Sequence, residues 1–304
     1  MSLVALPHAD FFDRVDPLDA DLEAAEALYA GPFLTASLPA FLMWQDEFLY
    51  ADAGLAGARF LVAHYDKYVY LPTPPRPFTR ENVEKAFAYM RAVNGPGPGI
   101  SRIEGLAESQ KDQGRSWGFP TRPTLVEYVY ERAKTAALAG DAYRSQRAEV
   151  NHLVKHHPVL FRPYRRADFP ACGDLFEAWK AQRLPALKGG MGESMLLASQ
   201  RAHARALRQG EAWGLKAWVV LLGGRLAAYT VGGALDADTF GVHLEVADLT
   251  VRGLSAYIFR NLCRQMEPYA FINTGDAEGL PRLAESKDHW HPFRKPEIFA
   301  LDPA

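Results

Sequence analysis

The sequence predicts an α/β (α+β) fold in two domains with mixed sheets, residues 1–160 and 161–304. Three observations carry this. At 304 residues the chain has material for two ordinary domains. Period-2 strand patterns and helical three- and four-residue spacings alternate along it instead of collecting in separate blocks. The second half reads strand, strand, strand, helix, strand, helix, strand. Composition agrees, with 48% hydrophobic and 23% charged residues, as in an ordinary globular chain with a large core.

No apolar run approaches the roughly 18–20 residues that span a bilayer. The start, MSLVALPHADFFD, lacks the basic region and apolar core of a secretory signal. Cys172 and Cys263 are too few for a disulfide framework and read as reduced core thiols. A cytoplasmic protein is expected, with transient contact at a membrane surface allowed. The formal net charge of -2 argues against a nucleic-acid coat protein but permits a brief encounter with tRNA.

In chain order, Asp16 and Pro17 are expected to start a helix through LDADLEAAEALYA, with Gly31 ending it. FLMW, DEFLY, ARFLVAHY and KYVYLP read as strands, with a tight turn at Asp66-Lys67. LPTPPRP must be a loop, because proline has no ladder donor. Thr79 caps the helix RENVEKAFAYMRAV, whose Val83, Phe87 and Met90 form its buried side. NGPGPG stops that helix and is no phosphate loop, since its prolines remove amides. ISRIE is a short strand and LAESQKDQ a short helix.

Residues 121–166 follow: a strand near Leu125–Tyr130, a helix broken at Gly140, and a second helix capped by Asp141. This stretch holds seven Arg and two Lys against four acidic residues. On its second helix Arg144, Arg147, Asn151 and Lys155 share a face, which is either an anion-binding surface or an ordinary solvated one. VLFRPY opens the second domain. Two helices follow around the loop LKGGMG, and His203 on the second reads as packed rather than catalytic. LKAWVVLLGG, RLAAYTVGGALDA and TFGVHLEVAD are three hairpin-linked strands; TVRGLSAYIFRNLCRQ is a helix, AFINTG a strand, and GLPRLAESKD a short helix before an extended end.

His243 and Glu245 alternate on one strand and so should share a face, a base beside a carboxylate that orients it. A polar pair facing solvent fits the spacing equally well. His289 and His291 beside Asp288 lack a third spaced ligand, so no metal is expected.

EYVYERAKTAALAGDAYRSQRAEVNHLVK resembles the signature of the bacterial phosphatidylglycerol lysyltransferase C-terminal-like family, in which Glu127 to Tyr130, Leu138, Gly140, Tyr143, Arg147, Asn151 and Lys155 fit the pattern. His243, Glu245 and Ala247 match a family His-Ile-Glu-Lys-Ala run, with Val246 replacing the lysine. Ile272, Asn273, Asp276, Gly279, Leu280, Lys287 and Pro292 keep the spacing of a third family segment. The resemblance covers the whole chain. It implies two tandem GCN5-related acyltransferase-like domains, akin to enzymes that take aminoacyl-tRNA as acyl donor.

What the resemblance implies for the site is an acyl transfer in which His243, oriented by Glu245, removes a proton. Asn273 holds a carbonyl or amine, Asp276 orients an amine, and Lys287 offsets an oxyanion or phosphate. Arg144, Arg147, Asn151, Lys155, Arg252 and Tyr257 would bind substrate. In acetyl-CoA enzymes of this fold the loop after this strand reads [Gln/Arg]-x-x-Gly-x-[Gly/Ala]. Here Thr250 and Ser255 depart from both ends. The expectation is therefore an aminoacyl-tRNA-dependent transfer to an amine or hydroxyl of a small molecule or lipid headgroup, with no tightly bound cofactor. An acetyl-CoA-dependent N-acetyltransferase and a non-catalytic binder of anionic ligands are the alternatives.

Overall fold

The computed structural model describes residues 6–29, 31–95, 100–187 and 191–304. Residues 96–99, the last four of NGPGPG, and residues 188–190 of LKGGMG lie outside these. The chain divides into Met1–Val126 with Pro296–Ala304, and Glu127–Lys295.

In the first unit, β1 (Arg14–Pro17), β2 (Leu49–Leu55), β3 (Ala58–Tyr65) and β4 (Tyr68–Tyr70) form one antiparallel sheet in chain order. Between β1 and β2 lie α1 (Leu22–Tyr29) and α2 (Leu38–Trp44). Two expectations are corrected here. Asp16 and Pro17 end an edge strand, where a missing amide costs little, and Asp21 caps α1 by accepting from Ala24 N at 3.0 Å. FLMW is helical, with Phe41, Leu42 and Met43 all buried; a short apolar run carries no period that separates buried strand from buried helix.

Next come α3 (Arg80–Asn94), β5 (Ile103–Leu106), α4 (Glu108–Ser116) and β6 (Thr121–Val126). Thr79 accepts from Asn82 N, the expected cap of α3. Val83, Phe87, Tyr89 and Met90 of α3 pack with Phe60, Val62 and Val69 of the sheet into the core.

The second unit holds β7 (Val129–Glu131), α5 (Arg132–Ala137), α6 (Arg144–His156), β8 (Val159–Pro163), α7 (Phe169–Leu187) and α8 (Met191–Gln209). Then follow β9 (Lys216–Leu222), β10 (Arg225–Ala234), β11 (Thr239–Ala247), α9 (Leu254–Gln265), β12 (Phe271–Asn273) and α10 (Pro281–Asp288). Its six-stranded sheet runs β7-β12-β11-β10-β9-β8, antiparallel except between β11 and β12. α9 covers this sheet with Leu254, Ile258 and Leu262, all fully buried. Truncating Leu262 to Ala would cost about 2–5 kcal/mol of stability. Asp141 offers its backbone carbonyl, not its side chain, to Arg144 N, and Tyr143 is the residue before α6.

The last strand, β13 (Glu297–Leu301), was expected to complete the second domain. It lies instead between β5 and β6 in the first unit, antiparallel to both. The second sheet is closed by β7 against β12. The observed division therefore falls at Val126/Glu127 rather than near residue 160, with the chain returning at Pro296. Hydrophobic periodicity sets which residues are inside, but not which neighbour a strand pairs with. No helix among the described residues is long and apolar enough to cross a membrane.

Candidate functional site

β11 outruns its parallel neighbour. It pairs with β12 only over Thr239↔Phe271, Phe240↔Ile272 and Gly241↔Asn273, while its pairing with β10 continues to Ala247. From Val242 onward that edge of β11 has no strand beside it among the described residues, and His243 and Glu245 stand there. The register with β10 shifts between Val231 and Gly232, and this bulge leaves His243 as the extra residue. Gly232 makes the bulge possible, since a Cβ there would lie 2.3 Å from the Gly241 carbonyl oxygen. Strict alternation is interrupted at His243, so the spacing rule that put it on the face of Glu245 does not apply here.

β12 ends at Asn273, whose Oδ1 accepts from Gly275 N at 2.8 Å and turns the chain. Its Nδ2 donates to Glu127 Oε2 at 2.6 Å, and both residues are buried. Lys287, on α10, is half-buried and points back into this turn. Its ammonium donates to the carbonyls of Thr274 at 2.6 Å, Gly275 at 3.2 Å and Asp276 at 2.5 Å. Tyr128 lies with its ring centroid 5.5 Å from the same nitrogen, and the Tyr130 hydroxyl donates to the Lys287 carbonyl.

Burial moves the titrating groups toward their neutral forms. Glu245 is pushed up to about 8 by burial, with the Lys287 charge opposing. Lys287 is drawn down to about 8 by burial, against the pull of Asp276, Glu278, Glu127 and Glu245. Three carbonyl acceptors need all three of its N–H bonds, which also favours the ammonium. His243 is lowered to about 3 by burial, so its imidazole is neutral at ordinary pH. His243 and Glu245 are half-buried as whole residues, yet His243 Nε2 and Glu245 Oε2 are sealed from solvent and have no protein partner.

The structure thus brings Glu245, Asn273, Asp276 and Lys287 together. It adds Glu127, which sequence reasoning quoted only as part of a pattern. The available signal was an acidic residue among the aromatic and aliphatic letters of LVEYVY. Cavities of about 320 Å³ beside α3 and about 420 Å³ beside α7 lie away from this cluster.

The basic face of α6 is divided. Arg147 donates to the carbonyls of Leu138 and Gly140, closing the turn after α5, and Arg260 and Arg264 donate to Ala136 of the same helix end. Arg147 is a structural residue. Arg144, Asn151 and Lys155 remain exposed, as does Arg252, while Tyr257 is half-buried against the α9 core. In the loop before α9, the Asp248 carboxylate accepts from Thr250 N, Thr250 Oγ1 and Arg225, so that amide already serves an anion. His203 is packed, its Nδ1 2.8 Å from the Tyr229 hydroxyl. His289 and His291 are engaged by Ser145 Oγ and the Ala142 carbonyl.

The model of the family "Phosphatidylglycerol lysyltransferase, C-terminal" matches residues 103–300. The chain belongs to this family. Among solved structures, this phosphatidylglycerol lysyltransferase C-terminal family member is similar to a conserved protein of unknown function from Bacteroides thetaiotaomicron. They share 19% identity at TM-score 0.81, over 96% of this chain and 100% of that one. It is similar to L-PGS from Bacillus licheniformis, with 12% identity, TM-score 0.63, and 94% and 92% of the two chains covered. It also resembles a tandem GNAT protein from the clavulanic acid biosynthesis pathway, with 11% identity, TM-score 0.55, and 96% and 99% covered. At such identities the likeness is one of fold: two tandem GNAT-like acyltransferase domains with mixed sheets. No curated protein matches the chain.

Proposed function

We propose that this protein transfers an aminoacyl group from aminoacyl-tRNA to an amine or hydroxyl, at the open edge of β11. The observation that carries the reading is two sealed, unpartnered atoms on that strand, His243 Nε2 and Glu245 Oε2, the second of them within reach of the Lys287 charge. Their pKa values are moved in opposite directions, His243 down and Glu245 up. Near pH 7 a neutral imidazole can accept a proton while a neutral carboxyl can donate one, the division of labour an acyl transfer needs.

The acceptor's nucleophilic atom attacks the ester carbonyl as His243 removes its proton. A tetrahedral intermediate forms, whose oxyanion Lys287 stabilises by charge, since its N–H bonds are held by backbone carbonyls. The carbon–oxygen bond to the tRNA ribose breaks, and Glu245 delivers the proton to that leaving oxygen. His243 then gives up its proton and Glu245 regains one, which restores both groups. Asn273, fixed by Glu127, keeps the turn that carries the Lys287 cradle. The acid limb expected of an ordinary histidine base moves down toward about 3.

The test is transfer of radiolabelled amino acids from pooled charged tRNA to phosphatidylglycerol or to small amines. Expected is label on one acceptor class that is lost with His243→Ala. Calorimetric titration with acetyl-CoA should show no saturable heat at millimolar ligand. Low-micromolar binding, with acetyl transfer in place of aminoacyl transfer, would replace this reading with an N-acetyltransferase.

A further inference from the structure

The cavity of about 420 Å³ beside α7 has two walls, both within the second unit. Three- and four-residue steps along α7 bring Asp174, Leu175, Ala178, Trp179 and Gln182 to one side of the helix, and these form the first wall. The second is Leu226, at the start of β10, with Asp248 and Thr250 after β11. Leu175 and Leu226 are buried and supply an apolar floor, and Trp179 is half-buried beside them. Small molecules occupy cavities of roughly 300–1,000 Å³ that combine such apolar walls with a few placed polar groups.

The charges around this cavity are answered, with one exception. Asp248 accepts from Thr250 N and Thr250 Oγ1 through one carboxylate oxygen and from Arg225 at 3.0 Å through the other. Arg225 also lines the cavity and is committed to that pair. On α7, Lys180 pairs with Glu177 at 2.8 Å. Arg183 lies 4.8 Å over the Trp179 ring, with Glu278 within range of its charge. Asp174 is exposed, and among the described residues its carboxylate has neither a hydrogen bond nor an ion pair. The cavity therefore presents one unanswered negative charge beside a tryptophan and two leucines.

That combination selects a ligand class. An anion would be repelled by Asp174, and the Thr250 amide already serves the Asp248 carboxylate. A bare metal cation of the calcium or magnesium kind needs several oxygen ligands, and a single free carboxylate stands here. An organic ammonium ion uses every part of the wall. Its charge meets Asp174 and the face of an indole ring, and its hydrocarbon covers the leucines.

We propose that this cavity is a binding site for a small organic ammonium ion, with Asp174 as its counter-charge and Trp179 as its aromatic wall. The Gln182 carbonyl accepts a hydrogen bond where the ammonium carries an N–H. The inference stands apart from acyl transfer, because the cavity lies away from the Glu245–Lys287 cluster and binding is measured without turnover.

The experiment is calorimetric titration of the full chain with benzyltrimethylammonium, and with benzyl alcohol and benzoate as its neutral and anionic counterparts. Saturable, salt-sensitive heat is expected for the cation at submillimolar ligand, and much weaker binding for the other two. Asp174→Asn should weaken the cation by about fivefold, the worth of one ion pair near a surface. Trp179→Ala should weaken it by about tenfold or more, and Trp179→Phe, which keeps a ring of weaker attraction, by about threefold. Glu245→Gln should bind as the parent does. Melting curves of the variants confirm folding, and Trp179→Phe with Asp174→Asn carries the test where Trp179→Ala unfolds. Absent heat, or equal binding of benzyl alcohol or benzoate, overturns the proposal. So does cation binding that survives Asp174→Asn and Trp179→Phe undiminished, or that is lost in Glu245→Gln, which would put the cation in the transfer site instead.

Discussion

The two units contain the same junction, a strand, a loop, a helix and a parallel contact back to the strand, and have put it to different uses. In the second unit the junction is β11, Asp248–Gly253, α9 and β12. In the first it is β4, the run from Leu71 to Thr79, α3 and a single parallel bridge from Leu71 to Ile103 at β5. Pro72, Pro74, Pro75 and Pro77 strip that first loop of the amides that could receive an anion. Most polar groups around it are mutually engaged, and the Thr73 hydroxyl within the loop is buried without a partner. Arg102 donates to Glu104 at 2.5 Å and lies 4.2 Å over the Tyr70 ring, while Asp52 accepts from Tyr29 and Arg59. In the second unit two polar atoms on β11 are left without protein partners. The difference lies in the kind of atom left over: the first junction withholds partners from a hydroxyl, the second from an imidazole and a carboxyl, which can exchange protons.

The comparison breaks most visibly in turnover. His243→Ala and Glu245→Gln should each lower the rate of aminoacyl transfer by roughly a hundredfold or more. Glu104→Gln in the first unit should leave it within about twofold. Equal losses from both units would mean that the first is not a scaffold.

The pH profile sharpens the same contrast. Glu245 titrates near 8 in the folded protein, so activity that needs its proton should decline as pH rises through about 8. In Glu245→Gln the residual rate should keep only the part of that limb that Lys287, drawn down to about 8, imposes by losing its charge. Its stability linkage has the same sign: the raised pKa favours the fold below the ordinary carboxylate range, and that contribution is lost as pH rises through about 8.

A smaller effect separates structure from binding on α6. Arg147→Ala should cost about 2 kcal/mol in denaturant unfolding, the scale of charged hydrogen bonds to two carbonyls. It should leave the salt dependence of tRNA binding unchanged. The smallest expected effect concerns His203, lowered by burial to about 3. The unfolded chain binds more protons between that value and about 6.5, so stability should rise with pH across the window and be complete above it. His203→Gln should flatten that part of the curve of unfolding midpoint against pH.

Much of this was legible in the letters. Thr79 announced α3 because its hydroxyl is the right acceptor three residues before a free amide. The β9–β10–β11 hairpins were legible because Gly223-Gly224 supplies the turn between alternating runs. The return of β13 was not, because strand pairing is set by long-range geometry that EIFAL does not encode. The site was half legible. Asn273 and Lys287 could be named, but nothing in their spacing says that the lysine spends its donors on Thr274, Gly275 and Asp276. Arg147 misled because a helical wheel reports direction and is silent about a waiting carbonyl.

The return of β13 also sets an order of assembly. A ribosome makes β5 and β6 and then the whole of Glu127–Lys295 before it makes the strand that joins them. The middle of the chain can therefore mature while the beginning still waits, the reverse of the usual N-terminal-first sequence. Until Glu297–Leu301 emerges, β5 and β6 present unpaired edges, a template for neighbouring chains. In this protein the period of greatest exposure to aggregation lasts until Glu127–Lys295 has been made, and it belongs to the half that was made first.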